Sequence, residues 1–314
     1  MGSGSSGPEN YRPYQVDRRT LLVGSLAAVV GLLTAACQSS RPTPEVTPDA
    51  PMGLRDPKSY GRALMIMSTF EYSQFALMYG GAHEVEDGRG VTAGIVGFCT
   101  GTGDANMVIK KYSESQPHNK LRAKYGERLD EIDQEFADTD WSDPIGSLKG
   151  LQDKEKGLDF MKDWDSLAYD LEFQKAQLAV YEQEYYSPAI DRAKKVKTDD
   201  GKGIQTAAGQ LILVDAAIQH GVGEDEDGLD ALLKEAAKAA GPGPTEHEFL
   251  NAFLKVRVKH LSGAADAETR EAWAESVPRV SALKQILDSG NSDLKGPLKF
   301  DVYKGDHYNE PAVA

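Results

Sequence analysis

Residues 70–104 read FEYSQFALMYGGAHEVEDGRGVTAGIVGFCTGTGD, and this stretch decides the fold. Just before it, Leu64, Met67 and Phe70 recur at helical spacing and make one apolar face that runs into Glu71. Over 84–98 that period is lost. Glycines, an Asp87-Gly88 turn and β-branched residues predict a small sheet of short strands. Gly101-Thr102-Gly103-Asp104 then opens another helix, with Thr102 or Asp104 able to cap it. The chemistry follows from the two surroundings. Glu71 ends an apolar helix face, where desolvation favours the protonated carboxyl, whereas Asp87 sits at a solvated turn that keeps it ionised. One carboxyl able to donate a proton and one able to act as base are what cleavage of a glycosidic bond requires. The spacing alone is weak, because most acid pairs of this kind are solvated surface.

Outward from this stretch the chain is mostly helical. A long helix is expected over about 158–186, with Trp164, Leu167, Leu171, Leu178, Tyr181 and Tyr185 on one stripe. Others are expected over about 203–219, 228–239, 245–262 and 266–288. Thr245 and Glu248 fit a capping box, and Pro278 is expected to kink the last helix. Many helices, one small sheet and a catalytic carboxylate near a helix end make a mainly α fold of the α+β class. That layout is lysozyme-like, with two lobes and a substrate cleft between them.

One charged residue stands out on the helix expected over 203–219. Ile204, Ala208, Leu211, Asp215 and Ile218 fall at successive steps of 4, 3, 4 and 3, which puts Asp215 in the middle of a buried face. An unpaired carboxylate there costs several kcal/mol, so a cationic partner must be close. Arg257 lies on a similar stripe between Leu250, Leu254 and Leu261, and Arg279 follows Pro278.

The residues themselves carry a resemblance. Glu71 with Ser73, then Asp87-Gly88-Arg89-Gly90-Val91-Thr92-Ala93-Gly94, then Gly97-Phe98-Cys99-Thr100-Gly101-Thr102-Gly103-Asp104 resemble glycoside hydrolase family 46, the chitosanases. So do Pro117-His118-Asn119-Lys120-Leu121, Trp164, Phe173-Gln174-Lys175-Ala176-Gln177, Asp215 to Gly221, Phe249 to Leu254 and the stretch from Gly290 to Lys299. The resemblance covers roughly 58–303. It implies an endo-acting hydrolase that cuts β-1,4 bonds between glucosamine units with inversion and without a cofactor or metal. Glu71 falls on the general acid, Asp87 on the general base and Thr92 on the residue that helps position the attacking water. Arg89 falls on an arginine near the base, and Asp104 on an acid that contacts substrate sugars. Asp215, Arg257 and Arg279 match a charge network linking core to cleft. Blander roles stay open: a helix cap for Asp104, a salt bridge for Arg89, an ordinary strand position for Thr92, and a fold-stabilising ion pair for Asp215 and the arginines. The chain also departs from the family pattern. Tyr72 stands where Asn commonly follows the acid, and Val91 replaces a Tyr. The interval from Glu71 to Asp87 is about two residues short, and Gly80-Gly81-Ala82-His83 lacks an aromatic. These changes bear on the substrate cleft rather than on reaction type.

Composition narrows the partners. Of 314 residues, 49 are acidic and 35 basic, a formal charge of −14. Residues 1–37 hold Arg12, Arg18 and Arg19 against Glu9 and Asp17, so 38–314 carry 32 basic and 47 acidic residues, a net −15. Such acidity argues against a nucleic acid, whose phosphates need Lys and Arg, and suits a polycation such as chitosan. Two cysteines, Cys37 and Cys99, make no disulfide framework. The six histidines are scattered, so a metal site is not expected. Residues 1–37 read as an export signal behind a tag-like start (MGSGSSG). Arg18-Arg19 hints at the twin-arginine route, and the uncharged run 20–36 is short for a membrane span. Cys37 after Leu33-Thr34-Ala35-Ala36 reads as a lipidation site, which would be the chain's only tie to a membrane. Plain secretion and a retained anchor are the alternatives. Residues 38–56 read as a Ser/Pro/Thr-rich spacer and 57–314 as the catalytic domain, a monomer by default. Two rivals remain: a peptidoglycan-cleaving hydrolase, and a non-catalytic envelope protein that binds cationic glycans.

Overall fold

The computed structural model describes residues 52–84, 90–138 (backbone only at 135–138), 150–223, 227–263, 274, 276–303 and 305–313. The expected export signal, Cys37, most of the expected spacer and residues 85–89, with Asp87 and Arg89, lie outside the described residues. Among the described residues no helix is long and apolar enough to cross a membrane.

The first helix, α1 (Pro57–Tyr72), starts where the Asp56 side chain accepts from the amides of Lys58 and Ser59, satisfying donors that the first turn leaves open. It buries Leu64, Ile66, Met67 and Phe70 and stops at Ser73, whose φ of 50° is left-handed. A three-stranded antiparallel sheet follows, in the order β1 (Ala82–Glu84), β2 (Val91–Ala93) and β3 (Phe98–Cys99). Next come α2 (Asp104–Ser115), α3 (Lys120–Asp138), a hairpin of β4 (Gln152–Asp153) and β5 (Leu158–Asp159), and the short α4 (Phe160–Asp165).

The long helix expected over 158–186 is two elements. α4 ends at Asp165, and α5 (Leu171–Tyr181) begins at Asp170, whose side chain caps the amides of Glu172 and Phe173. A local cap thus overrides the apolar stripe. A π-turn at Glu182–Tyr186 then joins α5 to α6 (Ser187–Ala193). The remaining helices are α7 (Ala207–His220), α8 (Leu229–Ala240), α9 (Glu246–Ser262) and α10 (Val277–Asp288), and a hairpin of β6 (Leu298–Asp301) and β7 (His307–Glu310) follows them. The Thr245–Glu248 capping box is present. Pro278 does not kink a helix: it sits in the first turn of α10, where its missing N–H has no partner to lose.

The helices fall into two groups. α2, α3, α4 and α5 pack around the small sheet, and α7, α8, α9 and α10 pack on one another and on β6. α1 packs against α7, and α5 with its π-turn and α6 runs from one group to the other. Mostly helix with small antiparallel sheets, this is the expected lysozyme-like fold.

Candidate active site

Glu71 sits in the last turn of α1, its side chain 16% exposed. Its Oε1 accepts from Arg279 Nη1 at 2.6 Å. Arg279 Nε donates to Asp215 Oδ1 at 2.7 Å, and Asp215 Oδ2 accepts from Arg257 Nη2 at 2.9 Å. Arg257 Nη2 also donates to Gln219 Oε1 at 2.6 Å. The structure therefore brings together Asp215, Arg257 and Arg279 in one chain of ion pairs, and that chain ends on Glu71. Asp215 and Arg257 are fully buried. Burial works against the charge of Arg279, but Asp215 and Glu71 outweigh it and hold the guanidinium above its usual range. Arg257 lies below its usual range because burial, reinforced by Arg279, exceeds the help from Asp215. His220, at the end of α7, is pushed down to about 2 by burial and by both guanidiniums, so it stays neutral beside them.

The other side of Glu71 meets the sheet. Gly97 has φ +77°, and a Cβ placed there would lie 2.8 Å from Glu71 Oε2 and 3.0 Å from Thr92 Cγ2. Glycine at 97 thus lets the acid approach the strand that carries Thr92. That turn is held from behind by α5: Gln177 Oε1 accepts from Ile95 N at 3.0 Å, while Gln177 Nε2 and Trp164 Nε1 both donate to Tyr79 O at 2.9 Å. The C-terminal hairpin fixes the backbone flanking Glu71. Tyr303 Oη donates to Phe70 O at 2.9 Å, and Ser73 Oγ to Asp306 Oδ2 at 2.7 Å.

Two departures from the family pattern do not line an open cleft. Val91 is fully buried in β2. The Tyr72 hydroxyl donates to Gly94 O at 2.8 Å and Gly81 O at 3.3 Å, binding the two loops that flank β1 and β2. Its phenol lies well above the usual range, from burial first and Glu71 second.

Asp104 is the first residue of α2, and its Oδ1 accepts from the first-turn amide of Ala105 at 3.1 Å. Gly103 is the N-cap, while Asp104 Oδ1 also accepts from Cys99 N at 2.7 Å and Thr102 Oγ1 at 2.8 Å, and Oδ2 from Tyr185 Oη at 2.6 Å. It is 9% exposed. Burial raises its carboxyl, opposed by those neutral donors. The expected sugar contact is therefore a site where the chain's own donors already occupy both oxygens. Asp87 and Arg89 lie outside the described residues, so the structure places Glu71, Thr92 and the charge chain but not the expected base. Sequence reasoning passed over Gly97, Tyr303 and Asp306 as site residues. Gln177 carried a readable signal, a polar residue among apolar ones on a buried helix.

Comparison with known proteins places the chain in a family. The model of the glycosyl hydrolase family 46 matches residues 65–298. A chitosanase of Bacillus subtilis (strain 168) is 39% identical over 241 residues, 76% of this chain and 79% of its own length. A chitosanase of a Streptomyces species is 32% identical over 301 residues, 94% of this chain and 97% of its own. Among solved structures, a mutant chitosanase of Bacillus subtilis MY002 complexed with six glucosamine units superposes with a TM-score of 0.67 at 35% identity, covering 80% of this chain and 98% of that one. A family 46 chitosanase of Gynuella sunshinyii in complex with chitotetraose gives 0.67 at 34% identity, covering 81% and 98%.

Proposed function

We infer that this chain, which belongs to glycosyl hydrolase family 46, is a chitosanase that cuts chitosan within the polymer by an inverting single displacement. Glu71 protonates the leaving oxygen, Asp87 activates water from the opposite face, and Thr92 helps place that water. The observation that carries this reading is the position of Glu71, with Oε1 on Arg279 and Oε2 against Gly97 beside Thr92. A general acid must hold a proton before transfer, and a carboxylate paired with an arginine normally resists one. Here Arg279 keeps Asp215 as a counter-charge when Glu71 is protonated, so the pairing orients the acid without forcing it to stay ionised. A net −15 over 38–314 favours capture of a polycation. Arg89 near the base completes the assignment, and Asp104, whose oxygens are held by the chain's own donors, serves the site by bracing the β3–α2 corner rather than by touching sugar. The same reading makes 1–37 an export signal and Cys37 a lipid anchor, checked by the mass of the mature N-terminus.

The test uses the wild type and Glu71→Gln, followed by viscosity and reducing ends on chitosan at pH 5–6. The expected outcome is a rapid fall in viscosity with wild type and a loss of about 10²–10⁴ in kcat for the variant. An inverted anomer seen by NMR then assigns the single displacement. No turnover of chitosan by folded wild type sinks the reading, and cleavage of peptidoglycan alone replaces it.

A further inference from the structure

His83 has no part in the chain of ion pairs, yet it lies directly across the sheet from Thr92. The register of the sheet pairs His83 with Thr92 and Thr92 with Cys99. Directly opposed residues of antiparallel strands share a face, with Cβ atoms about 4.5–5.5 Å apart, so His83 and Thr92 project side by side. Thr92 and the Glu71 carboxylate converge on Gly97, which puts His83 on the strand next to that meeting point. The imidazole is also held. It meets Tyr72 edge to face, with ring centroids 5.5 Å apart and planes at 86°, and Tyr72 is itself fixed to Gly94 and Gly81 by its hydroxyl.

The two ring nitrogens differ. Nδ1 is buried and makes no hydrogen bond, while the residue as a whole is half-buried. Neutral imidazole carries one N–H and one lone pair. Placing the N–H at Nδ1 would desolvate a donor with no acceptor, so the proton belongs on Nε2. Burial also lowers the imidazole from its usual value, which disfavours the charged ring. A neutral donor suits a sugar hydroxyl oxygen. It does not suit a glucosamine ammonium, which only donates.

We propose that His83 is a substrate-contact residue, its Nε2–H donating to a hydroxyl oxygen of the glucosamine unit bound beside Glu71 and Thr92. This rests on the chitosanase reading and deepens it by naming a contact.

Steady-state kinetics on chitosan of His83→Ala, His83→Gln and His83→Lys test it. His83→Ala should lower kcat/KM about three- to tenfold, mainly through KM, with only a small fall in melting temperature from the lost edge-to-face contact with Tyr72. His83→Gln, which keeps an N–H donor, should recover most of the loss. His83→Lys should raise KM further by placing an ammonium against the substrate's own, and added salt should relieve that excess. Wild-type KM in His83→Ala, or a KM for His83→Lys that ignores salt, overturns the proposal. Should His83→Ala not fold, the salt dependence in His83→Lys decides. Wild type inactive on chitosan sinks the functional reading itself, whereas active wild type with an indifferent His83→Ala sinks this contact alone.

Discussion

Two buried carboxylates, Asp215 and Asp104, solve the same problem in opposite ways. Asp215 is fully buried and bonded by two guanidiniums, one of which continues to Glu71. Asp104 is nearly as buried, but its partners are neutral: two backbone amides, a threonine hydroxyl and a tyrosine hydroxyl. Charged partners make Asp215 a link: among the described residues it is the one carboxylate on Arg257, and it shares Arg279 with Glu71. Neutral partners leave the Asp104 carboxyl raised by its burial, so it ties β3, the start of α2 and the π-turn together without transmitting charge. Charge therefore reaches Glu71 from the arginine side, through Arg279, and not from Asp104.

The contrast is broken most severely at Asp215. Asp215→Asn should cost about 3–5 kcal/mol in chemical denaturation, because two buried guanidiniums lose their shared counter-charge. It should also move the alkaline limb of the kcat–pH profile to lower pH, since Glu71 then becomes the sole counter-charge of Arg279 and gives up its proton more readily. A limb that stays in place would mean the chain of ion pairs serves folding alone.

Tyr185→Phe probes the neutral arrangement and should cost about 1.5–3 kcal/mol at pH 7, the range for a hydrogen bond to an ionised group. The sign with pH is definite. Tyr185 favours the ionised Asp104, so its contribution is full above the raised carboxyl value and is lost as pH falls through it. Unfolding curves at pH 7 and pH 4 should therefore show a smaller penalty at pH 4, while the kcat–pH profile stays put.

Gly97→Ala is the mildest. A non-glycine residue at φ +77° costs about 1–2 kcal/mol, and the added methyl would press on Glu71 Oε2. Activity should fall further than the modest loss in melting temperature suggests. Proportionate losses would show that the close approach of acid and strand has no catalytic consequence.

Most of the fold was legible. The helices over 207–220, 229–240 and 246–262 lie near their expected bounds, and the three-stranded sheet falls within 82–99 against the 84–98 expected for a small sheet, because apolar periodicity and turn chemistry are local. The break at 166–170 was missed because α4 and α5 share one apolar stripe, and only the Asp170 cap separates them. Pro278 was misread because a proline in a first turn and one in a helix interior look alike until the helix start is known.

The site divides in the same way. By itself the sequence determined that Glu71 ends an apolar helix, that a glycine-rich turn and a small sheet follow, and that Asp215 lies on a buried face needing a cation. Each depends on neighbours within a few residues, where helix and strand periods act. Only the tertiary structure decided that Arg279 bridges Asp215 to Glu71 across 208 residues of chain, that Gly97 is the contact between the acid and Thr92, and that Tyr303 and Asp306 brace the acid's backbone. Those pairings are set by how α1, α7, α9 and α10 pack and by where the last hairpin docks, and no local pattern encodes which distant side chains packing will bring within hydrogen-bond reach.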